Sequence, residues 1–192
     1  RHESIRLCEV GPTHEPFVQL IGLRAIPNCN VIRPADARET IEAFKIAYNS
    51  TETPTVIILS RQNLVVKKTN SELVNKGAYI VKDCENPNYI LLATGSEVSL
   101  AYEVSNLLEN VRVVSMPSEF LFNKQSEEYK KTILPDREKT IAIEMGSTLG
   151  WYKYASKVIG IDTFGMSAPA KVLVEYFGFT TEEVIKKIKS FK

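Results

Sequence analysis

Ile90-Leu91-Leu92-Ala93-Thr94-Gly95-Ser96-Glu97 reads as a buried strand, a short turn and the start of a helix. Its first four residues form an unbroken apolar run, the pattern of a strand covered on both faces. Ser96 is placed to open a helix whose inner stripe is Ala101, Val104, Leu107 and Leu108. A buried strand followed directly by an amphipathic helix is the repeating unit of α/β proteins with a mainly parallel sheet.

The same alternation runs through the rest of the 192 residues. Runs rich in β-branched residues at 30–33, 56–60, 78–82, 111–115 and 141–144 predict further strands, with a shorter one near 157–161. Asp36 is placed to cap a helix over 37–49, with Glu39 completing a capping box and Ile41, Phe44 and Tyr48 aligned on one apolar face. Ser167 and Pro169 open another helix with Val172, Leu173, Tyr176 and Phe177 inside and Gly178 at its end. Thr180 and Glu183 predict a capping box for a last helix. There Val184, Ile185 and Ile188 face the core, and Lys186, Lys187 and Lys189 sit near the negative end. The expected fold is α/β, three layers in α/β/α order with mainly parallel sheets.

Periodicity lapses between Val65 and Lys76. The expected division is therefore a first part at 1–64, a linker at 65–76 and a second part at 77–192. The second part has the size of an ordinary domain and can bury its own core. The first offers two strands and two helices, half an α/β layer whose apolar faces call for neighbours.

Bulk properties narrow the function classes. A formal charge of +1 gives no electrostatic footprint for nucleic acid or a membrane surface, so neither is expected as a partner. No apolar run approaches the roughly 20 residues that span a bilayer. Cys8, Cys29 and Cys84 are odd in number and form no CxxC pair, so they read as free thiols in a reducing compartment. A chain that opens at Arg1 rather than Met is expected to be a piece of a longer protein, silent on targeting.

His2 and His14 flank a polar loop whose backbone Gly11-Pro12 and Glu15-Pro16 restrain. Fixed loops suit side chains that meet ligands, and imidazole is the natural proton-transfer group near neutral pH. From composition alone, solvated loop histidines are the favoured reading, and the spacing fits no zinc pattern. Arg61 follows the buried run Val56-Ile57-Ile58-Leu59-Ser60, at the strand end where open α/β sheets bind ligands. A guanidinium there either holds a phosphate or pairs with a nearby carboxylate. Thr94-Gly95-Ser96-Glu97 is either an anion-holding turn or a plain serine-capped one. Trp151, Tyr152 and Tyr154 read as core or interface packing.

His2-Glu3-Ser4-Ile5, Gly11-Pro12-Thr13-His14-Glu15-Pro16, Arg33-Pro34-Ala35-Asp36 and Leu59-Ser60-Arg61-Gln62-Asn63-Leu64 resemble the transketolase family in order and spacing. The likeness continues through Ala93–Val98, Arg112–Pro117, Trp151–Ala155, Phe164-Gly165 and Ser167-Ala168-Pro169, so it spans essentially the whole chain. Pyruvate dehydrogenase and deoxyxylulose phosphate synthase share the architecture but not this string. The resemblance implies the last part of a pyrimidine-binding domain followed by a complete transketolase C-terminal-type domain, from a homodimeric, cytoplasmic enzyme. It also implies transfer of a two-carbon ketol unit from a ketose phosphate to an aldose phosphate, with thiamine diphosphate as electron sink and Mg²⁺ or Ca²⁺ anchoring the diphosphate. Position by position, His2 and Arg61 match residues that bind the sugar's terminal phosphate. His14 matches a catalytic histidine that binds the hydroxyls of the transferred unit.

One position departs from the family. Glu9-Val10-Gly11-Pro12-Thr13-His14 carries Val10 where the family has an aspartate that binds the acceptor's 2-hydroxyl. That keeps a dihydroxyacetone synthase-like enzyme as an alternative, beside a non-catalytic binding or assembly domain that uses the Thr94–Glu97 turn. The activating glutamate, the ring pocket and the metal motif lie upstream of Arg1 in the family. This piece alone is therefore expected to bind neither cofactor nor metal and to be inactive.

Overall fold

The computed structural model describes residues 18–60, 63–66 and 69–191. Two sheets organise the chain. The smaller pairs β1 (Asn30–Ile32) with β2 (Thr55–Ile57) in parallel, with Ile32 opposite Ile57. The larger has five strands in the order β3-β5-β4-β6-β7. These are β3 (Tyr79–Lys82), β4 (Tyr89–Ala93), β5 (Val111–Ser115), β6 (Thr140–Ile143) and β7 (Lys157–Ile159). All neighbours in it are parallel except the edge strand β3, which runs antiparallel to β5.

The apolar run that opened the analysis is the central strand, β4, and its residues point alternately to two cores. On one face Leu91, Ala93, Val113, Ile141 and Ile143 pack against α3 (Glu97–Ser105), α6 (Ala170–Tyr176) and α7 (Thr181–Ser190). On the other, Ile90, Leu92, Val114 and Ala142 meet Phe122 of α4 (Glu119–Asn123), Ile133 of α5 (Glu127–Ile133) and Trp151. Helices on both faces make the three-layer α/β/α arrangement. Ile90, Leu91 and Leu92 have no exposed surface, and burial at this level is worth about 1.5–3 kcal/mol per side chain.

The small sheet is covered likewise. Leu20 of α1 (Gln19–Arg24) packs with Cys29, Val31 and Ile58 on one face. Ala43 of α2 (Ala37–Asn49) packs with Ile32, Val74 and Tyr79 on the other. Cys29 and Cys84 are free thiols, and Cys8 lies outside the described residues.

Several helix details differ from expectation. Asp36 caps α2 through Arg38 and Glu39 N–H, but the Glu39 carboxylate reaches back to Ala35 N–H at 2.8 Å rather than to the cap residue. The helix buries Glu39 and Ala43, with Ile46 packed beside them, whereas Ile41, Phe44 and Tyr48 are exposed. At 100° per residue these two rows lie on opposite sides, and the side bearing Glu39 is the one that meets the large sheet. Leu107 and the α6 residues Val172 and Tyr176 are also exposed, while Leu173 alone of α6 is buried. Thr180 caps α7 as expected, but Glu183 pairs with Lys186 instead of closing the box. Lys187 folds back onto the carbonyls of Phe177 and Gly178, satisfying the end of α6. Residues 71–76, expected as linker, form a 3₁₀ helix that buries Val74.

Candidate functional site

The carboxyl edges of the two sheets face one another, and Arg33 lies between them. It directly follows β1, and Ile58 N–H, one residue past β2, donates to Ile32 C=O at 2.9 Å. The main chain of Arg33 is fixed from the large sheet: its N–H donates to Pro117 C=O at 2.9 Å, and its C=O accepts from Gly95 N–H at 3.2 Å. Thr94 Oγ1 lies 3.3 Å from the same carbonyl. Upstream, Ser118 Oγ donates to Asn30 Oδ1 at 2.7 Å.

The Arg33 guanidinium donates to Thr94 C=O at 2.9 Å, pairs with Glu97 Oε2 and lies 3.4 Å from Glu144 Oε1. Arg24, the last residue of α1, forms a two-pronged pair with Glu144 at 2.8 and 3.0 Å. Its Nε lies 3.2 Å from Glu119 Oε1, an ion pair without hydrogen-bond geometry. Trp151 Nε1 donates to Glu144 at 2.7 Å, and the Arg24 guanidinium sits 5.1 Å from the Trp151 ring centre. Lys153 closes the cluster on Glu119 at 2.7 Å. Two arginines from the small-sheet unit thus enter a nest of three glutamates from the large-sheet unit, all five side chains at most 7% exposed.

Charge pairing governs protonation here. Burial alone would raise the Glu144 carboxyl, but the charges of Arg24 and Arg33, with hydrogen bonds from Arg24 and Trp151, outweigh it and hold the group below its ordinary 4.5. Burial likewise works against the charged Arg24, and Glu144 and Glu119 more than compensate.

Glu39 forms a second cross-link. Its carboxylate accepts Tyr79 O–H and Ser115 O–H, each at 2.7 Å, besides Ala35 N–H. Burial raises this carboxyl above its ordinary 4.5, because the three hydrogen bonds do not fully offset it and Asp36 adds repulsion. Burial and the neighbouring Glu39 charge push the Tyr79 phenol strongly upward.

The Thr94–Glu97 turn can now be judged as an anion site. It lies where strand order reverses around β4, the usual ligand crevice of such sheets. Here the crevice is filled by the protein itself. Gly95 N–H bonds Arg33 C=O, Glu97 N–H bonds Thr94 C=O and Val98 N–H bonds Gly95 C=O. Gly95 has φ +57°, and a Cβ there would lie 2.8 Å from Arg33 Cζ. Ser96 makes no cap bond; its hydroxyl donates to Glu97 at 2.6 Å. The turn receives an arginine rather than an anion.

Residues 77–180 match the family described as "Transketolase-like TK C-terminal domain". The chain belongs to the transketolase family. Residues 1–67 match a second family, "Transketolase, pyrimidine binding domain". A transketolase of Staphylococcus epidermidis is 54% identical over 202 residues, covering 98% of this chain and 30% of that protein. A transketolase of Staphylococcus aureus is 52% identical, with the same coverage. The solved structure of transketolase from Leishmania mexicana has a TM-score of 0.95 and 42% identity, covering 99% of this chain and 29% of that one. The chain spans about 30% of the length of the curated relatives it matches.

Membership in the transketolase family implies thiamine diphosphate as cofactor. Among the described residues, no group of three or more His, Cys, Asp or Glu side chains is placed to hold a metal ion. In the 94–97 turn, the Gly95 and Glu97 amides are taken up by backbone carbonyls. No described helix is long and apolar enough to cross a membrane. His2, His14, Arg61 and Val10 lie outside the described residues. That the matched relatives are transketolases does not favour the dihydroxyacetone synthase alternative.

The sequence reading missed Arg24, Arg33, Glu119 and Glu144 as a unit, and treated Glu97 only as part of a turn. The available signal was charge at strand ends: Arg33 and Glu144 directly follow the buried strands β1 and β6. Trp151 is fully buried and Tyr152 exposed, so the aromatic cluster divides between core and surface.

Proposed function

We propose that this chain supplies the substrate-binding edge of a pyrimidine-binding domain and the C-terminal domain of a cytoplasmic, homodimeric transketolase. The division falls at 1–64, 65–76 and 77–192. The intact enzyme moves a two-carbon ketol unit from a ketose phosphate to an aldose phosphate in the pentose phosphate pathway. Similarity at 54% identity across 98% of the chain carries this reading.

The residue roles follow from chemistry. Arg61 and His2 bind the sugar's terminal phosphate, the first through a planar fork that matches phosphate oxygens. His14 bonds the hydroxyls of the transferred unit and takes or returns a proton there. Thiamine diphosphate, anchored by Mg²⁺ or Ca²⁺ on parts of the enzyme outside this chain, supplies the electron sink. The sheet edge from which Arg61 follows supports the assignment, because β1 and β2 end side by side against a rigid, charge-paired surface.

In the intact enzyme, R61A should raise KM for a phosphorylated acceptor about 10- to 100-fold, the worth of a charged hydrogen-bonded contact. It should leave an unphosphorylated acceptor nearly unaffected. Equal losses with both acceptors would rule out the phosphate role.

A further inference from the structure

We infer that Arg33, a buried residue given no substrate contact in the scheme above, is a positioning residue that sets the phosphate-binding edge of the small sheet. This rests on the reading of Arg61 as the phosphate contact. β1 and β2 have only three residues each, so their own ladder resists displacement weakly. What fixes their common carboxyl edge is Arg33. Its backbone is bonded to Pro117, after β5, and to Gly95, after β4; its guanidinium spans Thr94, Glu97 and Glu144. Ile58, three positions before Arg61, is hydrogen-bonded to the residue preceding Arg33. A displacement of Arg33 is therefore handed directly to the exit of β2.

The carbonyl and both carboxylates converge on one guanidinium nitrogen, Nη1, so the reach of the arginine side chain decides the arrangement. Gly95 provides the space, since any Cβ would collide with Arg33. Ligand recognition at a sheet edge tolerates little error; a displacement near 1 Å costs up to about 100-fold in rate.

The test uses the full-length enzyme carrying this chain, with a phosphorylated aldose and its unphosphorylated counterpart as acceptors. R33K keeps the charge that compensates Glu97 and Glu144, but its shorter side chain does not reach the position of Nη1. Its KM for the phosphorylated acceptor should rise about tenfold, with kcat and the unphosphorylated acceptor changed less than about threefold. E97Q, which keeps the shape of its side chain, should act in the same direction and supplies the readout if R33K does not fold. An unchanged ratio of the two KM values in a folded variant, or a uniform fall in kcat for both acceptors, overturns the proposal while leaving Arg61 in place. If R61A itself leaves that ratio intact, the underlying phosphate reading fails and takes this one with it.

Discussion

Arg33, directly after β1, places its guanidinium on the carboxylate of Glu97, the first residue of α3 and 64 positions further along the chain. Both side chains are almost fully enclosed, at 5% and 0% exposure. The pair sits in the crevice that α/β sheets ordinarily keep for ligands, and it joins the two sheets at their carboxyl edges. Buried ion pairs contribute little net stability against a well-packed apolar alternative, but removing one member is costly. Such a cluster specifies how the two units dock more than it stabilises them.

Glu144 is the centre of that cluster. Glu144→Leu would leave Arg24 and Arg33 short of their shared carboxylate and Trp151 without its acceptor. Unfolding in urea should show a loss of about 3–5 kcal/mol. A loss below about 1 kcal/mol would show that the cluster reorganises around Glu97 and Glu119.

Gly95→Ala introduces both a collision with Arg33 and an unfavourable positive φ. The expected destabilisation is about 1–3 kcal/mol. Pairing it with Arg33→Ala in a double-mutant cycle should reveal coupling above about 0.5 kcal/mol, because the smaller side chain relieves the clash but not the backbone cost. Strict additivity would show that Arg33 moves aside freely.

Glu144 and Glu39 act on opposite sides of the ordinary carboxylate value. Glu144, held below 4.5 in the fold, contributes stability that is present above 4.5 and is lost as pH falls through its lowered folded value. Glu39, held above 4.5, binds a proton more readily in the folded state, so stability falls as pH rises from 4.5 through its raised value. Thermal unfolding followed against pH should therefore show a shallower acid-side slope in Glu144→Leu, with Glu127 and Asp162, also held below their ordinary values, keeping the remainder. In Glu39→Gln the decline above 4.5 should flatten. An unaltered profile in Glu39→Gln would mean that Glu39 titrates alike in both states.

We propose that Val10 bears on acceptor choice. An apolar side chain cannot accept a hydrogen bond from a 2-hydroxyl, so the intact enzyme should discriminate weakly against 2-deoxy acceptors. V10D should restore discrimination by at least about tenfold in kcat/KM ratios, as expected when a site gains a polar partner that the deoxy analogue leaves unpaired. Strong discrimination before substitution would refute this.

Strands were readable because a two-sided core demands unbroken apolar runs, and each predicted strand is present within about three residues of its expected bounds, although β2 ends at Ile57 and is only half-buried. Helix faces were less readable. In α2 the row Ile41, Phe44 and Tyr48 has the better apolar pattern, yet the structure turns Glu39 and Ala43 inward. Tyr79 and Ser115 hydroxyls await the Glu39 carboxylate there, and no local pattern can announce donors 40 and 76 residues away.

The sequence by itself determined the alternation of strand and helix, the continuous burial of the central strand and the family likeness of the chain. Those features depend on local residue periodicity and on motif order, which a linear reading preserves. The tertiary structure alone decided which charges meet: Arg24 with Glu144 across 120 positions, Arg33 with Glu97 across 64, and the closing of a ligand-type crevice by an arginine. Such pairings are set where separate strand ends converge in space, and their energy depends on the removal of water from both partners. A residue's neighbours in sequence specify neither condition.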